Sequence, residues 1–231
     1  MLSVLAGSTR ATVVFFTNFG TAYTTRIIDV PASTGYGEPV QSLFKFKDGE
    51  KVVAAASLDP RVATDIKAKK EGDIPRRHAV AVSSDGYSLR FGLEPFVEVS
   101  TRAGRRFARV GQGAEIVGVS IVTGGETLIA ATRQARALLC KVDEVNFLAG
   151  PGRGVILIKL GKDDDHVLGF VASAGDRDLL TVETSRGAEQ TISTAKYTLT
   201  SRGGRGRELL QRGEFTRVLP ALPELPVLQS N

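Results

Sequence analysis

The stretch Thr200 to Gly206, TSRGGRG, sets two arginines among three glycines. Guanidinium forks match phosphate oxygens, and glycine lets a backbone approach a ligand closely. This combination suits anion contact, not bond-making. An exposed turn kept only for solubility would have the same composition, and short basic motifs match by chance. The other reactive residue types are scattered. His78 and His166 are solitary, with no Ser/His/Asp or metal-ligand spacing. KDDDH, from Lys162 to His166, reads as a strand-connecting turn of solvated acids, not a metal site. The single cysteine, Cys140, lies in ALLCKV and reads as a buried apolar residue. One cysteine excludes an internal disulfide framework and a multi-cysteine zinc site. With no phosphate-loop or dinucleotide fingerprint, no catalytic, metal or cofactor site is expected.

The chain has 231 residues, 30 Lys and Arg against 25 Asp and Glu, and a net charge of +5. A basic excess this mild permits an anionic partner without demanding one. No apolar run approaches the roughly 18 residues of a membrane helix. The start, MLSVLAGSTR, is too short and weakly charged for a secretory signal. A cytoplasmic protein with no membrane partner is expected.

Internal repetition indicates which elements position the arginines. ATVVFFTNFG, HAVAVSSDG, TLIAATRQA and DLLTVETSRG are β-rich runs, each closed by a turn-like group. Each restarts as a second strand-like run, so each pair reads as a hairpin. A glycine-containing loop follows, and in the first three repeats a further strand: KVVAAASL, EIVGVSIV and HVLGFVAS. FTRVLP closes the fourth. In register, Gly37, Gly104, Gly152 and Gly204 trail the turn residues Gly20, Gly86, Ala135 and Gly187 by 17 or 18 positions.

These repeats predict an all-β, propeller-like array of about four four-stranded antiparallel blades. A sandwich of short strands is the alternative. One domain over 1–231 is expected, with repeats at about 11–58, 77–122, 126–173 and 177–219. Residues 59–76 are expected to form a polar surface connection with one helical turn in ATDIKAKK, and 220–231 a proline-rich tail.

The residue after each aligned glycine is Glu38, Arg105, Arg153 or Arg205. Arg102, Arg106 and Arg109 join the second loop, and Arg202 and Arg207 the fourth, around Gly203, Gly204 and Gly206. Equivalent loops of radial blades lie on one rim, so these cations would form a discontinuous basic track. Such a track suits the phosphate line of duplex DNA and reads little sequence. Arg202 and Arg205 are expected to be exposed and silent in stability, and Gly204 to hold a positive φ. A packing role for the loops stays open, as does a protein-interaction platform. A central small-ligand site would need polar residues where the innermost runs, VVFF, AVAV and LIAA, are apolar.

VVFFTNFGTAY, IDVPASTGYGEPV and KDGEKVVAAA together resemble the C-terminal β-pinwheel of type IIA topoisomerase A subunits. SSDGYSLRF with STRAGRRFARV resembles the next blade, and LIAATRQARALLCKVDEVNFLAGPGRGVILIKL the one after. The resemblance runs from about Ala11 to about Val218. It implies a non-catalytic domain that bends or wraps double-stranded DNA. Its partners would be the rest of the A subunit together with an ATPase subunit, at the nucleoid. The cleavage tyrosine, arginine and magnesium site of that family belong to other domains, and Tyr23, Tyr36, Tyr87 and Tyr197 lie in no such setting. Arg202 to Gly206 match the last five positions of gyrase's basic box, Q-(R/K)-R-G-G-(R/K)-G, while Thr200 and Ser201 depart from the first two. The motif lies in the last repeat, as in the topoisomerase IV A subunit. Topoisomerase IV is therefore the favoured likeness, with the A subunit of gyrase as the alternative. LSVLAG resembles the closing strand of a preceding unit.

Overall fold

The computed structural model describes residues 3–35, 37–161 and 164–221. The first repeat forms β1 (Thr12–Thr17), β2 (Thr21–Arg26) and β3 (Val52–Ser57). The second forms β4 (His78–Ser83), β5 (Tyr87–Phe91), the two-residue β6 (Arg105–Arg106) and β7 (Ile116–Val122). The third forms β8 (Thr127–Thr132), β9 (Arg136–Lys141), β10 (Phe147–Leu148), β11 (Val155–Ile156) and β12 (Val167–Ser173). The fourth forms β13 (Leu180–Thr184), β14 (Glu189–Ile192), β15 (Arg207–Glu208) and β16 (Phe215–Val218). Helical structure among the described residues is limited to four short 3-10 turns.

Each hairpin lies where the alternating runs place it, but blades and repeats do not coincide. The sheets run β3-β1-β2-β6, then β7-β4-β5 with β10 and β11 along the free edge of β5, then β12-β8-β9-β15, then β16-β13-β14. Each of the first three blades therefore takes its outer strand from the loop of the following repeat. The hairpin's outer strand would otherwise present unpaired amides and carbonyls, and the crossing loop satisfies them. The expected four strands per blade become four, five, four and three.

The closing strands β3, β7, β12 and β16 pack on one another in chain order, so they are innermost. VVFF, AVAV and LIAA belong to the next strand out. Strands β4 and β8 are buried along their whole length because both faces meet a neighbouring blade. Alternate residues of β4 divide between two cores: Ala79 and Ala81 face the first blade, Val80 and Val82 the third. On β8, Leu128 and Ala130 face back toward the second blade while Ile129 and Ala131 face the fourth. Three apolar clusters thus sit between four blades, and the first blade adds a smaller aromatic group of its own, Tyr23 against Phe44 and Phe46 at centroid distances of 5.0 and 4.8 Å. The first cluster is aromatic, with Phe16 set edge-on against Phe91, Phe96 and Phe107 at centroid distances of 5.7, 6.0 and 5.2 Å.

The 59–76 connection is less superficial than its composition suggests. Ala63 and Ile66 enter the first core beside Leu58, and no helix forms in ATDIKAKK. Asp59 fastens the segment, accepting from the Ser8 amide at 2.6 Å and from Arg61 at 2.7 Å. Residues 3–8 form no strand. The tail from residue 222 onward lies outside the described residues.

Candidate nucleic-acid interface

Backbone pairing sets the true register of the loops. Arg105 and Arg106 of β6 pair with Ala22 and Thr21. Val155 and Ile156 of β11 pair with Ser88 and Tyr87, and Arg207 and Glu208 of β15 with Ala137 and Arg136. The residue before each short strand is Gly104, Gly154 or Gly206, at φ 71°, 79° and 68°. A Cβ there would strike the acceptor strand: 2.9 Å from the Ala22 carbonyl oxygen, 2.6 Å from that of Ala137, and closer still to that of Ser88. Left-handed backbone and close approach together require glycine at this crossing.

This register corrects the sequence alignment of Gly104 with Gly152 and Gly204 by two positions. The error arose because GPGRG and RGGRG each hold several glycines, and spacing alone does not say which one crosses. Arg153 and Arg205 therefore match each other and Ala103, whereas Arg105 matches Arg207 and Val155. Arginine does not recur at one position in all three loops. The positive φ expected at Gly204 belongs to Gly203 and Gly206, at 79° and 68°. A Cβ on Gly204 would meet only ordinary contacts near 3.9 Å.

The predicted arginines fall into two groups. Arg102, Arg105, Arg106, Arg109, Arg205 and Arg207 are exposed. Among the described residues Arg207 reaches only the Tyr197 ring, 5.8 Å from its centroid. The other two are engaged. Arg153 donates to the Asp85 carboxylate at 2.8 Å and lies over the Tyr87 ring, 3.8 Å from the centroid. Arg202 is half-buried. Its Nε donates to the Glu144 carbonyl at 2.6 Å, a terminal nitrogen donates to the Ile156 carbonyl at 3.3 Å, and its own amide donates to the Glu144 carboxylate at 3.2 Å. Arg202 thus ties the fourth loop to the third repeat, contrary to the expectation of a free guanidinium. Gly203 completes this tie through its amide to the Leu157 carbonyl at 2.6 Å.

The sequence reading missed two cations, Lys45 and Lys159. Three equivalent backbone bonds link successive loops: Lys45 to the Arg102 carbonyl at 2.8 Å, Arg109 to that of Gly152 at 2.9 Å, and Lys159 to that of Gly204 at 2.8 Å. Lys45, Arg109 and Lys159 therefore hold one position in three repeats, all exposed, each just after the buried Phe44, Ala108 or Ile158. The available signal was a buried apolar residue four positions past the crossing glycine, followed by a cation at the fifth. It was hidden because the first loop departs from the others around Glu38 and Pro39.

The nucleophilic residue types are structural. Tyr23 is buried with its hydroxyl 3.1 Å from the Glu50 carboxylate, and burial together with that charge pushes its phenol up to about 12. Burial likewise pushes the Cys140 thiol up to about 12. His78 is buried with Nδ1 2.9 Å from the Pro75 carbonyl. Asp165 is not a solvated acid: it is 6% exposed and accepts from the amides of Gly161 and Gln134 at 2.8 and 3.0 Å. Asp164 pairs with Arg133, while Lys162, Asp163 and Tyr36 lie outside the described residues.

Comparison with known proteins follows the same architecture. The sequence profile of the family described as "DNA gyrase C-terminal domain, beta-propeller" matches residues 11–59, 78–123 and 126–173. The DNA gyrase A subunit of Aminobacterium colombiense is 28% identical over 218 residues, covering 94% of this chain and 25% of that protein. The DNA gyrase A subunit of Staphylococcus epidermidis is 26% identical over 86% of this chain and 21% of its own length. The chain thus spans about a quarter or less of these relatives. Among solved structures, the C-terminal domain of DNA topoisomerase IV superposes with a TM-score of 0.80 at 17% identity, over 96% of this chain and 67% of that one. The E. coli ParC C-terminal domain gives 0.71 at 19% identity, over 92% and 82%. The DNA gyrase A C-terminal domain gives 0.66 at 16%, over 94% and 68%.

Proposed function

Because the chain belongs to the family of the DNA gyrase C-terminal β-propeller domain, we propose that it is a non-catalytic, duplex-DNA-binding domain of a type II topoisomerase A subunit. In this reading it bends or wraps DNA on its basic outer edge and directs the enzyme toward particular DNA topologies. The rest of the A subunit, together with an ATPase subunit, completes the enzyme at the nucleoid. One observation supports this reading most: the strands and loops crossing between blades carry Arg102, Arg105, Arg106, Arg109, Arg205 and Arg207 exposed, with no ion pair among the described residues. Unpaired guanidinium groups along one edge suit phosphates, and most of these side chains are free to contact them without breaking an existing bond.

Neutralising each phosphate contributes about 0.9 to the slope of log affinity against log salt, so about five contacts give a slope of roughly −4 to −5. Fluorescence anisotropy with a labelled duplex of mixed sequence at several salt concentrations measures it. Affinity that ignores salt, or that follows base sequence, sinks the proposal. The departure of Thr200 and Ser201 from gyrase's basic box favours a topoisomerase IV type that bends DNA over a gyrase type that wraps it with a fixed hand. Relaxing plasmid DNA in the presence of the domain tests this choice: bending leaves the topoisomer distribution unchanged, and chiral wrapping shifts it.

A further inference from the structure

We propose that Lys45, Arg109 and Lys159 form a row of phosphate contacts, one at each joint between successive loops, and that the third loop meets DNA through Lys159, not Arg153. This rests on the DNA-binding reading above and assigns the residues that carry it.

The first support is placement. Each of the three donates its backbone amide to a carbonyl of the next loop, at 2.8, 2.9 and 2.8 Å. The residue before each is buried: Phe44, Ala108 and Ile158 are 5%, 0% and 1% exposed. The Cα of each cation is therefore pinned between two loops while its side chain is exposed. A contact held on a fixed backbone loses less conformational entropy on binding than one on a free loop.

The second support is recurrence. At the position after the crossing glycine the chain carries Arg105, Val155 and Arg207, and at the next Arg106, Ile156 and Glu208. Neither position could provide one charge per blade. The joint position does so in three consecutive repeats, and the same register places Gln211 there in the fourth, since the Leu209 amide bonds Ala135 as Phe107 bonds Gly20 and Leu157 bonds Gly86. A regular line of phosphates favours charges displaced equally from blade to blade.

The third support is availability. Arg153, the arginine of the third loop, is occupied by Asp85 and Tyr87, so a phosphate would have to displace an ion pair. Lys159 has no such partner among the described residues. At the first joint, Lys45 and Arg102 line one open groove with Gln41, Phe44 and Phe46, with no acid among the described lining residues.

The test uses the full chain and the labelled mixed-sequence duplex, reading the salt slope. Joint replacement of Lys45, Arg109 and Lys159 by alanine is expected to reduce the slope by about 2.7, three contacts at about 0.9 each. Replacing Lys67, Lys69 and Lys70 of the 59–76 connection removes the same charge and is expected to leave the slope unchanged. Lys159→Ala alone should cost about 0.9 and Arg153→Ala nothing. Gln211→Lys should extend the row and raise the slope by about 0.9, a gain that loss of folding cannot imitate. The inference is overturned if the joint triple binds like the wild type, if the connection triple loses as much, or if Arg153→Ala loses a contact and Lys159→Ala does not. A wild-type chain that does not bind duplex DNA overturns the functional reading itself.

Discussion

Arg202 and Arg205 stand three residues apart in one basic motif, and the structure assigns them opposite roles. Replacing Arg202 by alanine removes a guanidinium that donates to the Glu144 carbonyl at 2.6 Å and to the Ile156 carbonyl at 3.3 Å. A hydrogen bond from a charged group contributes about 1.5–3 kcal/mol net. One of the two bonds is long and the site is half-buried, so the lower end applies, about 2 kcal/mol in all. For a chain of this size that corresponds to a fall in melting temperature of about 4–8 °C. Arg202→Lys keeps the charge but can reach only one carbonyl, so about half the loss should return. Arg205 is exposed, and its alanine variant should stay within about 0.5 kcal/mol of the wild type. Calorimetry of the three variants, paired with the salt slope for duplex DNA, separates the roles: Arg205→Ala should lose about one contact with the fold intact. If Arg202→Ala melts with the wild type, or Arg205→Ala melts as early as Arg202→Ala, the assignment of tether and free cation is wrong.

Gly154→Ala places a Cβ against the Ser88 carbonyl at a positive φ and should cost more than about 2 kcal/mol, whereas Gly113→Ala, also at positive φ but with open space around it, should cost about 1 kcal/mol; urea unfolding measures both. His78 accepts from Arg90 through Nε2 at 3.3 Å and holds its proton on Nδ1 toward Pro75, and burial, with the Arg90 charge, keeps its pKa below the ordinary value. Its contribution is therefore complete above about pH 6.5 and is lost as pH falls below that value, so melting temperatures at pH 7.5 and 5 should differ less in His78→Gln than in the wild type. Cys140, buried with its thiol raised to about 12, should resist a thiol reagent at pH 8 until the chain is unfolded, and rapid native labelling would contradict that placement.

What was legible in the sequence was local. Alternating runs such as HAVAVS and TLIAAT, closed by SDG or RQA, specify a hairpin because strand period and turn geometry are set by neighbouring residues. Four such hairpins with closing strands imply blades, since none has an apolar face it can bury alone. The exposed arginines of the crossing loops were legible for the same reason, as charge beside glycine with no acid nearby. Tertiary structure alone decided which strand completes which blade. Arg105 pairs with Ala22 and Arg207 with Ala137, contacts between residues some seventy or more positions apart that no local pattern encodes. That pairing selects Gly154 and Gly206 over their neighbouring glycines, because only there does a carbonyl of another repeat fill the space of a side chain. It also turns Arg202 inward to Glu144, 58 residues away, while Arg205 stays in solvent. Residue type shows which groups can hold a phosphate. Whether a given guanidinium is free to do so depends on which carbonyls and carboxylates the fold brings within reach.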